Sequence, residues 1–164
     1  MIVVADASPL VILSKLTCFD LLNGVFPRVY ISEEVHREVV ISGAGLPGAS
    51  EVAQADWIEV KRIQNQEAFL EAQQKYALGA GEISTILLGK ELHAATVLLD
   101  DYNARKLAKA KGLQVRGTVG LLEMFYKRAL LPDLRPAFER LLSYSYIDPR
   151  LLNLRLRDLG LPPI

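Results

Sequence analysis

Five carboxylates stand at positions where they could work together. Asp6 ends the apolar run of residues 2–5 in MIVVADASPLVIL, and Asp100 and Asp101 end the run TVLL (96–99). Glu82 directly follows the turn LGAG (78–81), and Glu38 lies one turn beyond Glu34 in SEEVHREVV. Carboxylates brought together without basic neighbours repel one another, and some take up protons unless a cation is present. Hard oxygen donors with open positions suit Mg²⁺ or Mn²⁺, which keep several waters and bind phosphates readily. Such ions can activate water and stabilise a leaving oxygen in phosphodiester hydrolysis. On this reading Asp6 is a metal ligand.

The elements around these acids alternate between strand and helix. Residues 2–5, RVYI (28–31), DWIEVKRI (56–63), TVLL (96–99) and LQVRG (113–117) read as strands. Helices are expected over 9–16, 18–25, 32–40, 65–77, 82–93, 102–111 and 119–130, with two more near 135–143 and 149–158. Ser8 before Pro9, Ser32 and Thr118 stand where N-caps are expected, and Gly112 stands where a helix would end. One of Asp100 and Asp101 can cap the helix from Tyr102, which leaves the other without a structural task. The pattern predicts an α/β domain with a central, mostly parallel sheet flanked by helices. In such a sheet ligands bind beyond the carboxyl ends of the strands, where Asp6 and the Asp100–Asp101 pair are expected.

The totals set limits. The 164 residues are 51% apolar and 23% charged, which suits one domain with a real core. No apolar run is long enough to span a bilayer, and MIVVADAS has no basic stretch before its apolar residues, so neither a membrane partner nor a signal peptide is expected. Cys18 is alone, which excludes an intrachain disulfide and suits a reducing, cytoplasmic location. Net charge is zero, but residues 1–101 hold 7 Lys/Arg against 14 Asp/Glu and residues 102–164 hold 12 against 5. That asymmetry fits an acidic site beside a basic surface. Arg105, Lys106 and Lys109 share a helix face just after the acidic pair, where cations could hold a phosphate backbone. Arg116, Lys127 and Arg128 could extend that surface, and Tyr102 could stack on a base.

Other signals are set aside. Gly43-Ala-Gly45-Leu-Pro-Gly48 matches a dinucleotide-binding spacing, yet it follows a helix and contains Pro47, so it reads as a loop. His36 and His93 are too few for a histidine metal site, and Cys18 in its apolar run reads as core.

The ordered set VVADASPLVILSKL, YISEEVHREV, LGAGEISTILLGKEL and VLLDDYNARKLAKAKGLQVRGTVGLLE resembles the PIN-domain nucleases, above all the prokaryotic branch with the VapC-type toxins. The likeness implies a PIN-like single domain over 1–164, with a core of about 1–130 and C-terminal helices over 131–164. It implies an endoribonuclease that cleaves single-stranded RNA with Mg²⁺ or Mn²⁺, the toxin of a type II toxin–antitoxin pair. A small antitoxin protein and a second copy of the chain would be its partners. By the same resemblance Asp6, Glu38, Glu82 and an acid of Asp100–Asp101 form the catalytic set, with Glu33 and Glu34 as ordinary first-turn residues. Thr or Ser two places before the fourth acid is usual in the family. That spacing points to Asp101, with Leu99 in place of the hydroxyl residue, and leaves the choice between Asp100 and Asp101 open. Ser8, Arg105, Lys109 and Thr118 are the expected substrate contacts, although capping explains Ser8 and Thr118 equally well.

Two rival readings belong to other classes. A PIN-like domain that has lost catalysis would act as a binding module; the four filled acidic positions count against it. A Mg-dependent phosphoacceptor domain would carry its acidic pair after the first strand and a lysine after the last, where this chain has Gly117-Thr118.

Overall fold

Five short strands form the centre of the computed structural model, which describes residues 1–164. They are β1 (Val3–Ala5), β2 (Val29–Ser32), β3 (Ile58–Lys61), β4 (Thr96–Leu98) and β5 (Val115–Arg116). Their order across the sheet is β3-β2-β1-β4-β5, and every pair is parallel, so the mostly parallel sheet expected from sequence is wholly parallel. Parallel neighbours need long crossovers, and helices supply them. These are α1 (Ala7–Lys15), α2 (Leu21–Val25), α3 (Glu33–His36), α4 (Ala49–Gln54), α5 (Gln66–Lys75), α6 (Ala80–Glu91) and α7 (Tyr102–Ala110), while α8 (Thr118–Lys127) follows the last strand. Two more, α9 (Leu134–Leu141) and α10 (Pro149–Asp158), close the chain. None of these helices is long and apolar enough to cross a membrane.

Both faces of the sheet are covered, which is why β1 is apolar at every position. Val3 and Ala5 point into the larger core with Leu10 of α1, Phe125 of α8, Phe138 of α9 and Leu156 of α10. Val4 points the other way, toward Ile86 of α6 and Ala104 and Ala108 of α7. Phe125 and Phe138 are fully buried, and burial of such a side chain is worth about 1.5–3 kcal/mol. The C-terminal helices therefore pack into the same core as the central strand.

The topology opens a crevice at one place. From β1 the chain moves outward through β2 and β3, then returns to the other side of β1 as β4 and β5. The loops leaving β1 and β4 diverge at this reversal, the usual ligand position in sheets of this kind. Asp6 directly follows β1, and Asp100 comes two residues after the end of β4.

Several helix boundaries differ from those expected. The N-cap position of α1 is Asp6, whose side chain makes no capping bond, and Ser8 lies inside the helix. Gly117 occupies the N-cap position of α8, so Thr118 is its first residue. Ser32 does cap α3, accepting from the Val35 N–H at 3.0 Å. Beyond α3 the chain continues through Arg37–Ser42 as a π-helical turn, a widened helix that is frequent at functional sites. Gly112, at φ +83°, follows α7 as expected. The Gly43–Gly48 stretch links this π-helical turn to α4, with no strand before it.

Candidate active site

Asp6 is the most constrained of the acids. It is 5% exposed and makes no side-chain capping bond. Burial pushes its carboxyl up to about 7; the Ala7 N–H opposes this, and the carboxylates of Glu82, Glu38 and Asp100 add to it. No Lys or Arg forms an ion pair with Asp6, Glu38 or Glu82.

Gly81 lets two of these acids approach. A Cβ on Gly81 would stand 2.8 Å from Glu38 Oε2 and 3.1 Å from Asp6 Oδ1, so any side chain there would fill the space between them. This gives the glycine of the Gly81-Glu82 pair a steric reason. Glu82 lies in the first turn of α6, where its Oε1 accepts from the Gly79 N–H at 2.9 Å. Its carboxyl is also raised, first by burial and then by Asp101 and Glu38, against the pull of the Gly79 N–H. The hydroxyls of Ser32 and Ser84 share a hydrogen bond of 2.7 Å, which ties the start of α3 to α6 and so holds Glu38 near Glu82. Asp6, Ser8, Glu38, Gly81 and Glu82 line one cavity of about 470 Å³.

Asp100 and Asp101 have different tasks. Asp101 is exposed, and its Oδ2 accepts from the Ala104 N–H at 2.9 Å, so it is the N-cap of α7. Asp100 turns inward. Its Oδ2 accepts from Ser8 Oγ at 3.0 Å and from Thr118 Oγ1 at 2.7 Å, and its Oδ1 accepts from the Thr118 N–H at 2.7 Å. This settles which of the two aspartates caps the helix, left open by the sequence, and corrects the capping expected of Ser8 and Thr118. The cap of α7 is Asp101, and the hydroxyls of Ser8 and Thr118 hold Asp100 instead of capping their helices.

Arg105 stands next to this network. Its Nη1 donates to the Leu99 carbonyl at 3.0 Å and lies 2.5 Å from where a Cβ would stand on Gly117, beside Asp100 Oδ1. Lys109 is exposed one turn further along α7 and lines neither of the two cavities at Asp6 and Asp100. Tyr102 is exposed as well and is likewise outside both.

Glu34 is the site residue that sequence reasoning missed. It lines the cavity beside Asp6, and its Oε1 is buried with no hydrogen-bond partner. Glu33, by contrast, is exposed, with Arg62 3.9 Å away. The signal lay in the sequence, where Glu38 follows Glu34 by four residues in a stretch that reads as helix.

The donor chemistry fits a hard divalent cation. No three acids stand close enough to cage an ion unaided. Mg²⁺ does not require such a cage, because it retains several waters and binds through one or two carboxylates together with substrate phosphates. A buried, raised carboxyl with acidic neighbours and no paired base is the kind of group that such an ion would stabilise.

Comparison with known proteins adds one finding. A family model described as PIN domain matches residues 2–160. No curated protein matches the chain.

Proposed function

The chain belongs to the PIN-domain family, whose members are generally nucleases, and on that premise we propose that it is a metal-dependent endoribonuclease acting on single-stranded RNA. The observation that carries this reading is Asp6: buried, raised to about 7, surrounded by acids and placed at the reversal of strand order. Asp6 and Asp100 would hold Mg²⁺ or Mn²⁺, with Glu38 and Glu82 completing the acidic wall. When bound, the ion supplies Lewis-acid activation of water and of the phosphoryl oxygens.

The chain's own residues do the rest. Ser8 and Thr118 fix the rotamer of Asp100 through three hydrogen bonds, so that both of its oxygens are preset. Glu38 has no protein partner and is exposed, so it can orient a water or accept its proton. The fork of Arg105, fastened at one nitrogen to the Leu99 carbonyl, keeps donors for a phosphate. Such contacts position a backbone without reading sequence. We assign the protein a role as the toxin of a type II toxin–antitoxin pair in the cytoplasm, with a small antitoxin protein as partner and a homodimer as its assembled form.

Purified protein should cleave single-stranded RNA with Mn²⁺ or Mg²⁺, stop with EDTA and leave 5′-phosphate ends. Asp6→Asn should abolish cleavage with circular dichroism unchanged. Cleavage by that variant at the wild-type rate would remove Asp6 from the chemistry. A DNA-binding antitoxin encoded beside the gene supports the toxin role, and its absence counts against it.

A further inference from the structure

A second cavity, of about 540 Å³, begins where the acidic one ends. Asp100 and Thr118 form one end of it, and the Ser8–Asp100 hydrogen bond stands between the two spaces. Its walls are the β5–α8 junction and residues 145–147, which join α9 to α10. The size lies within the roughly 300–1,000 Å³ typical of small-molecule sites, which is ample for a nucleotide.

Three guanidinium groups face this groove, and they are not equivalent. Arg155 is clamped by both oxygens of Glu123, a buried acid of α8, so its charge is already neutralised. Arg105 and Arg116 form no ion pair; their contacts are the carbonyls of Leu99 and Gly120. Each keeps further N–H donors. Two glycines make room for these side chains. A Cβ on Gly117 would collide with Arg105 Nη1 at 2.5 Å, and a Cβ on Gly120 would stand 3.1 Å from Arg116 Cγ. At the far wall Tyr146 is fully exposed, with its ring uncovered beside Ile147 and Leu151.

We propose that this groove carries the nucleotide next to the scissile phosphate, with its own phosphate on Arg105 and Arg116 and its base stacked on Tyr146. The inference rests on the reading of the substrate as single-stranded RNA. Unpaired cations match a phosphate backbone, an uncovered aromatic ring matches an unpaired base of any identity, and the groove is continuous with Asp100. The strand would thus leave the acidic cavity over the C-terminal part of the chain, where the excess of basic residues lies.

The test is equilibrium binding of a 5′-fluorescein-labelled single-stranded RNA oligonucleotide, read by anisotropy in EDTA so that binding is separated from cleavage. Tyr146→Ala should weaken binding about 5-fold or more with an unchanged salt slope, and Tyr146→Phe should bind as wild type. Arg116→Gln should weaken binding and lower the slope of log K against log salt by about 0.7, the value of one lost phosphate contact on a single strand. Wild-type affinity and slope in both Tyr146→Ala and Arg116→Gln would overturn the inference, as would a wild-type protein that does not bind the RNA. If the protein cleaves RNA but these variants bind normally, only the groove assignment fails. If the variants behave as expected but no metal supports cleavage, the nuclease reading fails and the groove stands.

Discussion

Replacing Asp6 by Asn should change how stability depends on pH, and the size of the change follows from its burial. The folded state raises this carboxyl from 3.8 to about 7. A group with a raised folded pKa binds its proton more tightly when folded, so an acid of this kind removes stability as pH rises through that window. At about 1.36 kcal/mol per pKa unit, the full loss above pH 7 is about 4 kcal/mol. Somewhat less than half of this is already lost near pH 5, which leaves about 2–3 kcal/mol between about pH 5 and pH 8. For a chain of this size each kcal/mol moves the melting temperature by about 2–4 °C. Between those two pH values, in EDTA, wild type should therefore lose about 5–10 °C relative to Asp6→Asn. Differential scanning calorimetry on both proteins provides the measurement. The comparison is of slopes, so any fixed cost of burying the Asn amide cancels. Parallel curves for the two proteins would refute the reasoning. They would mean that Asp6 folds as an ionised carboxylate satisfied by local N–H groups.

The other predictions concern the same cluster. Mn²⁺ at about 100 times its dissociation constant should add about 2.7 kcal/mol to wild type, or about 5–11 °C, and most of this shift should vanish in Asp6→Asn; an equal shift in both proteins would place the ion elsewhere. Asp100→Asn should lose cleavage far more than Asp101→Asn, since Asn caps a helix nearly as well as Asp, while Asp101→Ala should cost about 1 kcal/mol of stability. The reverse ranking would return the ligand role to Asp101. Gly81→Ala should keep or slightly raise thermal stability, because Ala is the better helix former, while cleavage falls on the order of 10²-fold as the new methyl displaces Glu38; wild-type activity in that variant would show that Glu38 need not stand there.

What could be read from the sequence alone was whatever depends on neighbours along the chain. The apolar runs at 2–5 and 96–99 identified inner strands because a strand covered on both faces must be apolar throughout. Ser32 and Gly112 marked helix ends because a cap acts within one turn. The order of the acids, with their surrounding motifs, was enough for the family likeness.

The tertiary structure decided which partner each polar side chain chose. Ser8 and Thr118 have the chemistry of caps, but their hydroxyls meet Asp100 at separations of 92 and 18 residues, and no local rule registers a carboxylate so far along the chain. The same competition separated the adjacent aspartates: two acids side by side at a helix start cannot both cap it, and the positions of Ser8 and Thr118 determine which one turns inward. Glu34 looked like a first-turn acid favoured by the helix dipole until the cavity beside Asp6 gave its buried oxygen a location. The groove between Arg116 and Tyr146 arises because α9 and α10 fold back onto α8, burying Phe138, Leu152 and Leu156, and that packing brings together residues whose spacing in the chain carries no periodic signal.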